Sequence, residues 1–210
     1  MTTNVSSHHV ITSIEVLESI YGEPSRSAVV KEIDYVNADY RAFIEAAPFC
    51  AMATSGPGGL ECTPRGDPPG FVRVKDEKTL LIPDRRGNNR TDSLRNLIAD
   101  PRISLLFLIP GCGETIRVNG RAVISIDPAL CESFTFAGKV PRSVIVVTVD
   151  RVYFQCAKAI VRSRLWDPAT QIDRKLLPTA GTILAGISNG AIGGPEHDRT
   201  AAERIKATIY

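Results

Sequence analysis

The 210-residue sequence has little of what marks a membrane, secreted or metal-dependent protein. No apolar run approaches the ~20 residues of a membrane-spanning helix, and residues 1–9 have neither the basic nor the apolar region of a signal peptide. Three histidines and no Cys-x-x-Cys pair argue against a zinc site. Five cysteines, an odd number at irregular spacing, argue against a disulfide framework and favour a reducing compartment. These absences predict a soluble, cytoplasmic protein without a metal.

The composition is ordinary, with 43% hydrophobic residues, 23% charged residues and a net charge of +2. Such a balance excludes disorder and gives no bulk attraction to nucleic acid or to a membrane. The length allows one or two domains and buries enough surface to fold without disulfides. We therefore expect a small molecule, rather than nucleic acid or a membrane, as the ligand.

Short apolar strands separated by tight turns dominate the middle of the chain. Strands are predicted over residues 49–54, 60–65, 71–74, 79–82, 102–109, 115–126 and 143–154, and helices over residues 13–20, 37–46, 89–99, 128–136, 158–164, 179–188 and 196–209. Glycines in turn 55–59 supply the positive φ angles of a hairpin. Gly120 predicts a bulge or bend, and the almost wholly apolar strand 102–109 is expected to be buried on both faces. Together these elements predict a mainly β protein of the α+β class, a closed or partly open antiparallel barrel with flanking helices.

A basic, polar turn over residues 83–90 follows one predicted strand and enters the predicted helix 89–99. Free N–H groups and the positive dipole end favour an anion at such a helix start. Arginine forks match phosphate oxygens in pairs, and asparagines add neutral donors. The side chains concerned are Arg85, Arg86, Asn88, Asn89 and Arg90. Residues 83–90 therefore predict a phosphate site, and a solvated basic turn is the alternative.

Two further residues lie at the end of predicted strand 60–65, beside a loop rich in proline and glycine. Arg65 is placed to reach the same anion, and Asp67 to accept a ring N–H group from a ligand. The tripeptide that contains them is a weak signal by itself.

Five segments in order resemble the pyridoxamine-phosphate-oxidase-like FMN-binding split barrels. They are residues 63–67 (TPRGD), 79–97 (TLLIPDRRGNNRTDSLRNL), 100–107 (DPRISLLF), 116–122 (IRVNGRA) and 152–168 (VYFQCAKAIVRSRLWDP). The resemblance covers roughly residues 45–168, and it is the combination of segments that is specific. Within this superfamily the chain is similar to a branch of FMN-dependent enzymes of unassigned activity.

The resemblance implies an antiparallel, Greek-key-type split barrel that forms an intertwined homodimer with FMN in two interface clefts. It also implies three regions: an N-terminal helical extension (1–47), the FMN-binding domain (48–168) and a C-terminal helical tail packed on the barrel or dimer (169–210).

The same resemblance places the cofactor contacts. By position, Asn88, Asn89 and Arg90 meet the phosphate, Arg65 meets the phosphate or ribityl chain, and Pro83 and Asp84 pass the isoalloxazine edge. Thr115, Arg117, Lys158 and residues 162–166 match regions that often reach the cofactor from the other subunit. The cofactor-binding set is Arg65, Asp67, Pro83, Asp84, Asn88, Asn89, Arg90, Thr115, Arg117, Lys158, Arg162, Ser163 and Trp166. No catalytic acid, base or nucleophile is nominated, because bound flavin performs the redox chemistry.

The resemblance does not extend to vitamin B6 binding. Residues 129–142 do not match the Tyr, Arg and Ser groups that hold pyridoxal phosphate in the true oxidase. Arg162 and Arg164 lie near its Arg/His substrate pair, but no histidine accompanies them. We therefore expect an FMN-dependent oxidoreductase acting on an unknown small molecule. The alternatives are a non-enzymatic flavin-binding protein, or the same fold with a deazaflavin or with haem, for which His197 is a marginal ligand.

Overall fold

The computed structural model describes residue 6 and residues 9–210. The chain divides into two compact units, residues 1–32 and 33–210. Among the described residues, no helix has both the length and the apolar character needed to cross a membrane.

The first unit contains two short helices, α1 (Ile14–Tyr21) and α2 (Arg26–Val30). Ser13 and Ser25 cap them, because each hydroxyl accepts a hydrogen bond from the N–H group three residues later. Gly22 ends α1 with φ of 67°, in the region that favours glycine. Neither helix contains a buried residue.

The second unit is built on one seven-stranded antiparallel sheet, in the order β2-β1-β5-β6-β7-β4-β3. The strands are β1 (Phe49–Gly56), β2 (Gly59–Gly66), β3 (Arg73–Asp76), β4 (Thr79–Pro83), β5 (Arg102–Leu108), β6 (Thr115–Ser125) and β7 (Val144–Gln155). The helices are α3 (Ala38–Ala46), α4 (Asp92–Ala99), α5 (Pro128–Ser133), α6 (Lys158–Ser163), α7 (Ala180–Ile187), α8 (Gly194–Arg199) and α9 (Ala201–Thr208). The predicted antiparallel strands and flanking helices are confirmed.

The predicted hairpin at residues 55–59 is confirmed. Residues 57 and 58 join β1 to β2, and Gly56 pairs with Gly59. Gly59 has φ of 104°, a conformation that L side chains rarely adopt, so the turn depends on glycine.

Helix α3 covers the core of the sheet. Asn37 begins the helix by accepting a hydrogen bond from the Tyr40 N–H group at 2.8 Å, as its predicted role as a cap requires. Tyr40 and Ile44 are buried on its inner face and belong to the same core as Leu80 and Val118 of the sheet. Residues 33–47 therefore fold with the sheet.

The prediction that residues 102–109 form a strand buried on both faces is wrong in one respect. Strand β5 lies between β1 and β6, but only alternate residues are buried: Ile103, Leu105 and Phe107. Leu106 and Leu108 are half-exposed on the other face. The run is almost wholly apolar, so its composition could not reveal that the described residues cover one face only in part.

Strands β6 and β7 contain a β-bulge at the predicted position. Asn119 pairs with Arg151 and Gly120 pairs with Val149, so Asp150 is the extra residue on β7. A Cβ atom at Gly120 would lie 2.1 Å from the Thr148 carbonyl oxygen. The bulge therefore needs glycine because the two backbones approach too closely for any side chain.

We predict that Gly120→Ala destabilises the protein by about 1–3 kcal/mol, because a backbone carbonyl must move to admit the new methyl group. Gly186→Ala is the matched control, since Gly186 lies in α7 with no atom within 4 Å of the added carbon. That change should be neutral or should stabilise by up to about 1 kcal/mol. Urea unfolding midpoints compare the two, and equal midpoints would contradict the packing argument.

Candidate functional site

The basic turn begins where β4 ends and is held to the neighbouring strand segment. The Asp84 N–H group donates to the Ser143 carbonyl oxygen at 2.9 Å, which extends the pairing of β4 with β7 by one bond. The chain then leaves the sheet and has no regular structure until α4 begins at Asp92.

The predicted helix start at residue 89 is wrong, because α4 begins three residues later. Asn89 and Thr91 have φ of 60° and 58°, in the left-handed region that a right-handed helix does not contain. Asn88, Asn89 and Arg90 therefore lie in the turn before the helix and not in its first turn. The first helical turn instead contains Asp92, whose carboxylate favours a helix N-terminus.

A cavity of about 650 Å³ lies between this turn, strand β2 and the segment before β7. Its volume is within the range of pockets that hold one small ligand. Its lining residues are Glu61, Thr63, Pro64, Arg65, Asp84, Arg85, Arg86, Gly87, Asn88, Asn89, Arg90, Thr91, Asp92, Ser93, Leu94, Lys139, Val140, Pro141, Arg142, Ser143 and Tyr210. The structure therefore brings together five of the predicted contacts: Arg65, Asp84, Asn88, Asn89 and Arg90.

The cavity has a surplus of positive charge. Six cationic side chains and three carboxylates line it. Arg90 pairs with Asp92 at 2.6 Å in an exposed ion pair. Within the described part of the chain, Arg86, Lys139 and Arg142 have no carboxylate at ion-pair distance. Such a lining favours an anionic ligand.

Arg65 and Asp84 form an ion pair across the cavity wall. The Arg65 guanidinium donates to Asp84 Oδ1 at 3.2 Å, and both side chains are about one-fifth exposed. The Nε group of Arg65 is buried and has no hydrogen-bond partner among the described residues. Burial raises the pKa of Asp84 above its ordinary value of 3.8, although Arg65 and Arg142 oppose the rise. A buried donor and a carboxylate with a raised pKa thus lie side by side in the cavity wall.

Two hydroxyl groups in the cavity were not predicted. Thr63 of β2 and Ser93 of α4 place their oxygens 3.4 Å apart, and Ser93 is buried. Thr63 could have been found from the sequence, because Glu61, Thr63 and Arg65 alternate along β2 and share one face. No comparable signal indicates Ser93, because its place depends on where α4 begins.

Asp67 lies behind the cavity and not in its lining. Its side chain is 2% exposed and accepts hydrogen bonds from Arg85 Nε at 2.6 Å and from the Tyr210 hydroxyl at 2.8 Å. Arg85 also donates to the Phe134 carbonyl oxygen at 2.8 Å. Both oxygens of Asp67 are therefore occupied within the chain, and Asp67 orients Arg85.

The other predicted contacts do not line this cavity. Pro83 is buried at the end of β4, one residue before the lining begins. Arg117 donates to the Tyr153 hydroxyl at 2.9 Å, and the Trp166 indole donates to the Cys112 carbonyl oxygen at 2.6 Å. Six of the predicted residues lie on β6, on α6 or just after α6: Thr115, Arg117, Lys158, Arg162, Ser163 and Trp166.

Metal-binding groups are not gathered in the described residues. Among them, no set of three or more His, Cys, Asp or Glu side chains is arranged to hold an ion. His197 lies on α8 and does not line the cavity. Cys50 is buried, and burial raises the pKa of its thiol to about 12, so it is a core residue.

The fold is thus a seven-stranded antiparallel sheet with a cationic cavity beside β4, the second-to-last strand in the sheet order. The chain belongs to the pyridoxamine 5'-phosphate oxidase family, because residues 36–156, more than half of the sequence, match the family model described as Pyridoxamine 5'-phosphate oxidase. The predicted family and its split-barrel fold are confirmed. No curated protein matches the chain.

Solved structures resemble the chain at low sequence identity. HupZ of Group A Streptococcus is 19% identical over 56% of this chain and 91% of its own, with a TM-score of 0.46. A putative pyridoxamine 5'-phosphate oxidase from Lactobacillus delbrueckii is 14% identical over 58% and 95%, with a TM-score of 0.46. An FMN-binding protein from Syntrophomonas wolfei is 14% identical over 67% and 91%, with a TM-score of 0.43. These values are too low to support an argument about function.

We predict that Asp84→Asn raises the urea midpoint of the ligand-free protein at pH 7. Because the folded pKa of Asp84 is raised, the native state holds the extra proton and stability falls as pH rises through that window. The amide removes the buried charge and keeps an acceptor for Arg65. The gain should shrink as pH falls toward the ordinary value of 3.8 and disappear below it, where the carboxyl is protonated in both states.

Asp100→Asn is the control of opposite sign. Hydrogen bonds from Arg102 lower the pKa of Asp100 to about 2, so its stabilisation is present at pH 7 and is lost only as pH falls toward that value. This variant should unfold at a lower urea concentration at pH 7. If both substitutions lowered the midpoint, Asp84 would not be a destabilising group.

Proposed function

We propose that the protein binds FMN in the cavity and is an FMN-dependent oxidoreductase that acts on a small molecule. The observation on which this proposal rests is the buried Nε group of Arg65, which has no partner although Asp84 holds the same guanidinium. A buried donor without a partner costs about 1–3 kcal/mol or more. A shift of the Arg65 side chain within the cavity that it lines would give this donor a ligand oxygen, and the phosphate and ribityl chain of FMN supply such oxygens.

The phosphate of FMN has a charge of about −1.5 to −2 and needs several donors. Asn88, Asn89 and Arg90 offer such donors in the turn, and the hydroxyl of Ser93 lies at the start of α4 beside them. The positive end of the helix dipole adds to their effect. The surplus of cations in the lining favours the same anion.

The side chains at the other end of the turn would bind and orient the flavin. Pro83 and Asp84 leave β4 in a fixed direction, because the Asp84 N–H group remains bonded to Ser143. Arg65 holds the Asp84 carboxylate at the cavity wall. Bound FMN would supply the acceptance and release of a hydride or of single electrons, while these residues supply position and charge.

We propose that the active form is a homodimer and that a second copy completes each cofactor site. The partly exposed apolar residues Leu106 and Leu108 on the outer face of β5 support this proposal, because the described residues cover the sheet there only in part. The predicted contacts on β6, α6 and the segment after α6 would then reach the FMN of the partner. Light scattering should give the mass of a dimer, and a monomeric flavin complex would refute the shared site.

Vitamin B6 oxidation is not the activity that we propose. Arg162 and Arg164 lie on or directly after α6 and do not line the cavity. Arg164 is tied to Asp167 by hydrogen bonds from its guanidinium. The substrate is left as a small molecule of other chemistry, and the cofactor remains FMN.

The absorption spectrum of the purified protein tests the cofactor. We expect yellow protein with flavin bands, from which denaturation releases FMN and not FAD. Colourless protein that takes up no added FMN would refute flavin binding. Reduction by NADH or NADPH, followed by reoxidation with candidate acceptors, then separates an enzyme from a flavin-binding protein without turnover.

Two exposed arginines provide a matched test of the phosphate site. Arg90 pairs with Asp92 and Arg102 pairs with Asp100, each two residues away, but only Arg90 lines the cavity. Arg90→Ala should weaken FMN binding by about 1.5–3 kcal/mol, more than tenfold in Kd, because a charge-assisted phosphate bond is lost. Arg102→Ala should leave Kd unchanged in a fluorescence titration. Equal affinities of the two variants would remove Arg90 from the site.

A further inference from the structure

Tyr210 contacts the cavity wall from a distant part of the chain. Its hydroxyl donates to Asp67 Oδ1 at 2.8 Å, although 143 positions separate the two residues. Its ring lies 4.9 Å from the Phe136 ring, tilted by 47°. The Arg85 guanidinium lies 5.8–5.9 Å from both rings. One side chain thus joins the residue after β2, the basic turn and the segment after α5, and it also lines the cavity.

The preceding helix has few attachments of its own. Helix α9 contains no buried residue, so it gains little from apolar packing. Its polar side chains bond within the same region: Arg204 donates to the His197 carbonyl oxygen, and Thr208 donates to the Arg204 carbonyl oxygen. The contacts of Tyr210 are therefore what ties the tail, defined here as residues 201–210, to the cavity.

The hydrogen bond of Tyr210 has a buried, charged acceptor in a fixed position. The acceptor is a carboxylate that is 2% exposed and already paired with Arg85, so its orientation is fixed before Tyr210 arrives. A hydrogen bond from a hydroxyl to such a carboxylate is stronger than a hydrogen bond between two neutral groups. The phenol is protonated and therefore a donor at neutral pH, and the hydrogen bond to Asp67, followed by burial, raises its pKa further.

We infer that Tyr210 is a positioning residue that latches the tail against the cavity wall and slows the exchange of bound ligand. The identity of the ligand, FMN, rests on the proposed function, whereas the latch itself does not. When Tyr210 leaves Asp67, the cavity loses one lining side chain and opens on that side. When it returns, a bound ligand is enclosed. The latch should therefore act on association and dissociation alike, whereas a simple contact would act on dissociation alone.

Trypsin digestion of the full-length, flavin-free protein tests the latch. Arg199, Arg204 and Lys206 provide cleavage sites in and next to the tail, and mass spectrometry follows loss of the C-terminal peptide. Cleavage tracks the open population when opening is fast. Tyr210→Phe keeps the ring and removes the hydroxyl, so tail cleavage should be about tenfold faster or more.

Tyr35→Phe is the matched control for this digestion. It makes the same chemical change at an exposed tyrosine, whose hydroxyl has no hydrogen bond with a described residue. It should leave tail cleavage unchanged. Equal cleavage of wild type, Tyr210→Phe and Tyr210→Ala would overturn the inference.

Rapid mixing with FMN, followed by the fluorescence of the flavin, tests ligand exchange in the full-length protein. Tyr210→Phe should raise the association and dissociation rate constants several-fold, with a smaller change in Kd. Tyr210→Ala should raise both further, because the contact with Phe136 is also lost. Faster tail cleavage without faster exchange would overturn the inference and leave the proposed function intact. A wild-type protein that takes up no FMN would overturn the proposed function and the exchange role together, and trypsin would still report whether Tyr210 holds the tail.

Discussion

The ion pair between Arg65 and Asp84 joins two strands that lie far apart in the sheet. Arg65 belongs to β2 at one edge, whereas Asp84 follows β4, the sixth strand in the order. The two side chains meet only because the sheet curls back on itself. A partly exposed pair of this kind contributes about 0–1 kcal/mol, whereas each fully buried Val or Leu contributes about 1.5–3 kcal/mol. The core therefore imposes the curl, and the cavity exists because the curl brings these ends together.

The residues around the cavity are selected for something other than stability. Asp84 has a raised pKa, Arg65 has a buried donor without a partner, and Asn89 and Thr91 have left-handed backbones. Each feature costs free energy in the ligand-free protein. Burial also raises the pKa values of Tyr40 and Cys50 in the core, so it is the combination of these features at one cavity that distinguishes it. Such local costs, concentrated at one cavity, are the pattern expected of a ligand site.

The strands and the family could be predicted because their signals are local. Alternating apolar residues, glycine turns and ordered motifs all lie within short windows of sequence. The start of α4 could not be predicted, because the left-handed turn at Asn89 and Thr91 resembles a helical first turn in composition. The partly covered face of β5 could not be predicted either, because its burial depends on which elements pack against the strand. Tyr210 was missed for a simpler reason: its partner Asp67 is distant in sequence, and no motif links them.

The predicted contacts separate into two groups in space. Five of them line the cavity (Arg65, Asp84, Asn88, Asn89 and Arg90) and Asp67 and Pro83 lie next to it, whereas those on β6, α6 and the segment after α6 lie elsewhere on the same chain. Sequence order alone cannot distinguish a residue that lines the cavity of its own chain from one that would reach the cavity of a partner. The structure of the single chain identifies the residues of the first kind.

The bulge between β6 and β7 changes which positions of β7, the longest strand, face the core. Before it, residues at odd positions of β7 face inward (Ile145, Val147 and Val149), and after it the inward residue is Val152. Asp150 is the position at which the count shifts. Because side chains alternate strictly along a strand, the same alternation would otherwise turn Val152 outward. The two ends of β7 therefore present different positions to the core, odd-numbered before the bulge and even-numbered after it. Deletion of Asp150 would therefore make the strand regular and leave Val149 and Val152 on the inner face, whereas deletion of a residue in the regular part of β7 would turn one end of the strand outward.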